Sequence, residues 1–259
     1  MLSHPVALAF LLSLAAGLST MLGCVLIFFT SGKNERVLSV ALGLAAGVML
    51  SISFLDLYPQ AEILFKSSLT EKQSILAAVF CLFVGVFVAS MIDKLVPHEA
   101  YDSQTGEAPH KNLYRTGVLS MAVIGLHNFP EGIATFMAGY KDPSLGLSLA
   151  AAIALHNIPE GISVAMPIYY SSHSKRHAVF YTFLSGIAEP LGALMAFWVL
   201  RPFINDAVLA AVFAGIAGIM TYVAIEELIP SSRQYGHDRE ALRATFAGIC
   251  LMPLLHVLH

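Results

Sequence analysis

The chain reads as long apolar runs broken by short polar interruptions. A helix needs about 20 predominantly apolar residues to cross a hydrocarbon layer roughly 30 Å thick. By run length the pattern predicts eight such helices. They cover Pro5 to Phe29, Val37 to Tyr58, Ser74 to Val96, Thr116 to Gly139, Leu145 to Tyr170, Ala178 to Leu200, Asp206 to Ile229 and Glu240 to Leu258. A polar linker, residues 97–112, follows the third. Ordinary breakers mark turns at Ser31-Gly32, Asp142-Pro143, Arg201-Pro202 and Pro230-Ser231-Ser232. The expected fold is all-α and integral to a lipid bilayer, with residues 1–259 as a single transmembrane domain.

Composition agrees with the pattern. Hydrophobic residues make up 57% of the chain and charged ones 12%, about half the charged share of a soluble domain. That excludes an ordinary soluble enzyme, and no nucleic-acid partner is expected. Cys24, Cys81 and Cys250 all fall in apolar runs and read as small buried hydrophobes, not a disulfide framework. The opening MLSHPVALAF has no basic leader, so the first run reads as a retained span. Loop charge sets the orientation. With the N-terminus outside, the inner side holds Lys33, Arg36, Lys94, Lys111, Arg115, Lys175, Arg176, Arg233, Arg239 and Arg243. The outer side holds Lys66, Lys72, Lys141 and Arg201. Both termini are therefore expected outside and the linker in the cytoplasm.

Two polar sextets interrupt the fourth and fifth runs: HNFPEG, His127 to Gly132, and HNIPEG, His156 to Gly161. Ionisable groups at mid-membrane depth are costly and mark function by default. On a helix, His127, Asn128 and Glu131 reach one patch of surface, and His156, Asn157 and Glu160 repeat the arrangement. Pro130 and Pro159 deprive the carbonyls of Leu126 and Leu155 of their usual donors. Gly132 and Gly161 let another backbone come close. Imidazole, amide and carboxylate form a mixed nitrogen and oxygen set suited to zinc, iron, cobalt or manganese. One buried histidine beside a proline is ordinarily structural. Two in adjacent spans, each with a carboxylate, are not, because packing has no use for paired acids in hydrocarbon.

A second repeat lies further apart. AGVMLSISFLDLYP, from Ala46, aligns without gaps with AGIMTYVAIEELIP, from Ala217, placing Asp56 opposite Glu227. Those helices are an odd number of spans apart and so run in opposite directions, as do the fourth and fifth. This predicts an inverted-topology repeat around the central helix pair, with the ligand site near the midplane. Glu189, in SGIAEPLGA of the sixth span, is a further intramembrane acid, read as a metal ligand or its proton-exchanging neighbour. Asp56, Glu226 and Glu227 sit near helix ends. They fit the entrance and exit of a cation path, or equally interfacial acids in contact with water.

HNFPEG, HNIPEG, AEPLG and EELIP together resemble the ZIP (Zrt/Irt-like) family of divalent-metal transporters, over essentially the whole chain. The resemblance implies eight helices, both termini outside, a place in the cell (inner) membrane, and import of metal into the cytoplasm. It implies a two-metal centre between helices 4, 5 and 6. One ion would take His127, Glu131, His156 and Glu160. The second would take Asn128, Asn157 and Glu189, with Glu131 and Glu160 bridging. Some relatives carry an acid where this chain has Asn157, which leaves the second position with less negative charge here. Zinc is the expected substrate, with iron, manganese and cobalt compatible with the ligands. No resident cofactor is expected, and relatives suggest a homodimer. The rival reading is an intramembrane metal-dependent hydrolase. It would need an open coordination position and a separate base, usually in an asymmetric motif such as H-E-x-x-H, and no such motif occurs here. The chain is therefore expected not to be an enzyme.

Overall fold

The computed structural model describes residues 4–29, 34–95, 110–200 and 205–256. The turns expected at Ser31-Gly32 and Arg201-Pro202 and residues 97–109 of the expected linker lie outside the described residues, while residues 110–112 of that linker already belong to the helix that starts at His110.

Consecutive helical segments join into eight rods among the described residues. They are α1 (Pro5–Phe29), α2 (Glu35–Phe65), α3 (Glu71–Leu95), α4 (His110–Lys141), α5 (Pro143–Ser172), α6 (Lys175–Trp198), α7 (Asp206–Arg233) and α8 (Asp238–His256). Side-chain caps set three of the starts. Asn34 accepts from the Val37 amide, Ser174 from the His177 amide and Asn205 from the Val208 amide.

Six rods are long and apolar enough to cross a membrane: α1, α2, α3, α5, α6 and α7. α4 and α8 are long helices whose composition falls short of that standard. In α4 the HNFPEG sextet follows a run interrupted by Thr116, Gly117, Ser120 and Gly125, whereas the run before HNIPEG in α5 is mostly alanine, leucine and isoleucine. In α8 Asp238, Arg239, Glu240 and Arg243 crowd the first turns. The outer faces of the rods are apolar, and on α3 Leu76, Phe80, Phe83 and Phe87 form one exposed stripe. Such a stripe is costly in water and natural against lipid.

The expected turn at Pro230-Ser231-Ser232 is absent: α7 continues through it to Arg233. The helix accommodates Pro230 by widening first. A π turn covers Ala224–Leu228, and the Ile229 amide donates five residues back to the Ala224 carbonyl. In α2 a π turn covers Ile52–Leu57, and the Tyr58 amide donates to the Ser53 carbonyl, just before Pro59. The two π turns fall at matching places in the AGVMLSISFLDLYP and AGIMTYVAIEELIP segments. Proline cannot donate and crowds the preceding turn, and widening relieves both problems.

Small residues let the rods touch backbone to backbone, as membrane helices require where apolar burial gives no drive. On α2, added Cβ atoms at Gly43 and Gly47 would lie 2.5 and 2.0 Å from the carbonyl oxygens of Ala241 and Thr245 on α8. On α7, one at Gly218 would lie 2.0 Å from the Leu82 carbonyl of α3. α2 thus pairs with α8 and α7 with α3, while α1, α4, α5 and α6 pack together and enclose the polar motifs.

Candidate metal centre

α4 and α5 run unbroken through Pro130 and Pro159, so the spacing of each sextet is helical, as its polar pattern predicts. His127, Asn128, Glu131, Asn157, Glu160 and Glu189 are all buried. The imidazole joins the two motif helices. Its Nε2 lies 3.0 Å from Glu131 Oε1 on the same helix and 3.3 Å from Glu160 Oε1 on α5. Ligand atoms around one tetrahedral zinc, with bonds of about 2 Å, stand roughly 3.3 Å apart. The spacings are therefore those of neighbouring ligands as well as of hydrogen bonds. Among the described residues no group of three His, Cys, Asp or Glu side chains already surrounds a common ion position. His156 stands on α5 at the place His127 holds on α4, and its side chain lies outside the described residues.

The amides show how the rest of the site is oriented. Asn128 Nδ2 donates to the Ser185 carbonyl of α6 at 3.2 Å. Asn157 Nδ2 donates to the Ala16 carbonyl of α1 at 2.9 Å and to Glu189 Oε2 at 3.1 Å. The donors are thus used on neighbouring helices. Asn128 Oδ1, Asn157 Oδ1 and Glu189 Oε1 are left buried with no hydrogen-bond partner among the described residues. Buried oxygens of this kind are costly unless something electropositive meets them. Neutral and charged oxygens of this sort are the donors a divalent cation takes in place of its water.

Glycine brings the helices close enough for this. A Cβ at Gly132 would lie 1.8 Å from the Glu189 carbonyl oxygen, and one at Gly161 would lie 1.9 Å from that of Thr20. The motif glycines therefore seat α4 on α6 and α5 on α1. That fixes Glu189 beside the two motif carboxylates.

The acids near helix ends fare differently. Glu226 is exposed and Asp56 is half-buried. Glu227 is buried in a polar cluster that joins three helices. Arg115 of α4 lies 2.5 Å from Glu227 Oε1, by its Nη1, and also contacts Asp93 of α3 through its Nη2. Thr116 Oγ1 donates to Glu227 Oε2, and Tyr222 OH donates to Asp93 Oδ2. By sequence alone Arg115 stands among the loop charges and Asp93 is one acid near the end of an apolar run. Their one visible signal was an acid and a base both next to a span boundary.

A family model described as "ZIP Zinc transporter" matches residues 94–256, which include both sextets, Glu189 and the EELIP segment. The chain belongs to the ZIP family. ZIP relatives match it along nearly its whole length. "Zinc transporter ZupT" of Streptococcus mutans is 39% identical, covering 95% of each chain. The ZupT of Chlorobaculum parvum is 40% identical over 98% of each, and that of Nitratidesulfovibrio vulgaris 41% identical over 96% of each. With several apolar helices besides, this ZIP chain is a multi-pass membrane protein.

Proposed function

We propose that this protein carries divalent metal ions, zinc foremost, across the cell (inner) membrane into the cytoplasm. The observation that carries the reading is the contact of one buried imidazole, His127, with carboxylates of two helices. Packing alone gives no reason to bury two acids and an imidazole together. Relatives named as zinc transporters, matching along nearly the whole chain, support the same substrate. Iron, manganese and cobalt also suit nitrogen and oxygen ligands.

In this reading an arriving ion exchanges its water for His127, Glu131, His156 and Glu160. A second ion takes Asn128, Asn157 and Glu189, and Glu131 and Glu160 bridge. Two adjacent sites allow binding firm enough to admit an ion and weak enough to release it. All eight rods cross the bilayer, with both termini outside and the basic loops inside. The halves are related by an inverted repeat. The matched π turns before Pro59 and Pro230 support that relation. So does the pairing of α2 with α8 and of α7 with α3. Asp56 and Glu226 stand along the path to the two faces. The cluster of Arg115 and Glu227 closes the inner ends of α3, α4 and α7. The protein works as a transporter and not as an enzyme.

The test is uptake of radiolabelled zinc into proteoliposomes, with iron, manganese and cobalt as competitors. The intact protein is expected to fill the vesicles, and Glu131→Ala or His127→Ala to reduce uptake to the level of empty liposomes. Full uptake by either variant, correctly inserted, rejects the assignment.

A further inference from the structure

α1 and α6 carry one spaced set twice: Gly17, Thr20 and Gly23 on the first, and Gly186, Glu189 and Gly192 on the second. The packing repeats with the spacing. Gly161 seats against the Thr20 carbonyl as Gly132 seats against that of Glu189. A Cβ at Gly17 would meet the Glu189 Cβ at 3.0 Å, and a Cβ at Gly186 would meet the Thr20 Cβ at 3.3 Å. The amides repeat it too. Asn157 donates to the Ala16 carbonyl, one turn before Thr20, and Asn128 to the Ser185 carbonyl, one turn before Glu189. Thr20 therefore holds on α1 the place that Glu189 holds on α6.

One relationship is broken. Asn157 also donates to the Glu189 carboxylate, and the matching bond would join Asn128 to residue 20. It is not made. Thr20 Oγ1 and Asn128 Oδ1 are both buried and have no hydrogen-bond partner among the described residues. A glutamate oxygen stands three bonds beyond Cβ, and a threonine hydroxyl stands one. The difference in reach is about the diameter of a water molecule, which is stable in a buried place only between polar partners such as these.

We infer that Thr20, beside the Asn128 ligand, forms a neutral oxygen subsite that holds a water of the incoming divalent cation, on the side of the centre across from Glu189. The inference rests on the metal-centre reading of His127, Glu131 and Glu160. It gives the centre two unlike sides. On the α6 side a carboxylate replaces the ion's water. On the α1 side the ion keeps one water, hydrogen-bonded to the threonine hydroxyl. An ion held in part through water is easier to release than one stripped completely.

The test is zinc binding by the purified full-length protein in detergent, measured by equilibrium dialysis, alongside uptake. Thr20→Val keeps the side-chain shape and removes the hydroxyl. It is expected to weaken zinc binding about tenfold, the scale of one lost hydrogen bond, while its thermal unfolding without zinc stays that of the parent. Thr20→Ser is expected to bind as the parent does. Thr20→Glu, which restores the matching carboxylate, is expected to bind zinc more tightly and to turn over more slowly. Parent-like zinc affinity in Thr20→Val overturns the subsite. Should valine disturb folding, the Thr20→Ala and Thr20→Ser pair decides it: equal affinities overturn the inference, and weaker binding by alanine alone supports it. Dialysis of His127→Ala separates the two readings. Lost binding there with unchanged binding in Thr20→Val removes the subsite only. Retained binding in His127→Ala removes the metal centre itself.

Discussion

His127 and Glu160 meet across two helices, Nε2 to Oε1, at 3.3 Å and away from solvent. The same nitrogen faces Glu131 on its own helix, so the imidazole links the twin motifs through their acids. Glu160→Gln keeps the shape and removes the charge that would face an ion. Zinc affinity is expected to fall at least tenfold, with helical content by circular dichroism unchanged. Unchanged affinity in dialysis would place the ion elsewhere.

Gly132 tests how far function depends on helix separation. A methyl group there would lie 1.8 Å from the Glu189 carbonyl oxygen, whereas at Gly125 the nearest atoms are 4.0 Å away. Gly132→Ala must push α6 off α4 and is expected to cost about 1–3 kcal/mol as overpacking. Gly125→Ala on the same helix is expected to be neutral in stability. Thermal unfolding in detergent compares the two, and equal melting temperatures would contradict the close contact.

The Arg115 cluster makes a prediction about stability. Arg115→Ala leaves Asp93 and Glu227 buried side by side without their cation. Breaking a buried pair in this way costs about 3–5 kcal/mol. Replacing all three, as Arg115→Met with Asp93→Asn and Glu227→Gln, is expected to recover most of the loss. Denaturation of the single and triple variants reads this directly. A triple variant no more stable than Arg115→Ala would mean that the acids are not the cause.

Orientation can be read by labelling. In a cysteine-free background, Lys72→Cys is expected to react with an impermeant thiol reagent added outside intact cells. Lys175→Cys is expected to react only after permeabilisation. The reverse pattern would invert the topology.

The parts of the site legible in the sequence were those with local spacing. His127, Asn128 and Glu131 fall on one helical patch by counting, and the second sextet shows that the first is no accident. The long apolar runs gave the rods, and caps and prolines moved their ends. The departures have physical causes. The helix passes Pro230 because one π turn makes room for it, and no local pattern announces a π turn. Arg115 looked like a loop charge because its partners are 22 and 112 residues away. The likeness of α1 to α6 was present in the sequence. Two glycines six residues apart in an apolar run do not stand out until contacts show which positions correspond.

The glycine seats have a mechanical consequence. A carbonyl lodged where a side chain would otherwise stand leaves two helices no room to slide past each other without a clash within a fraction of a turn. Such seats tie α4 to α6, α5 to α1, α2 to α8 and α3 to α7, and Gly17, where an added Cβ would lie 2.5 Å from the Gly186 carbonyl oxygen, ties α1 to α6 as well. α1, α4, α5 and α6 are thereby keyed into one block, and the freedom left for the rods to shift lies along the seams that lack such notches.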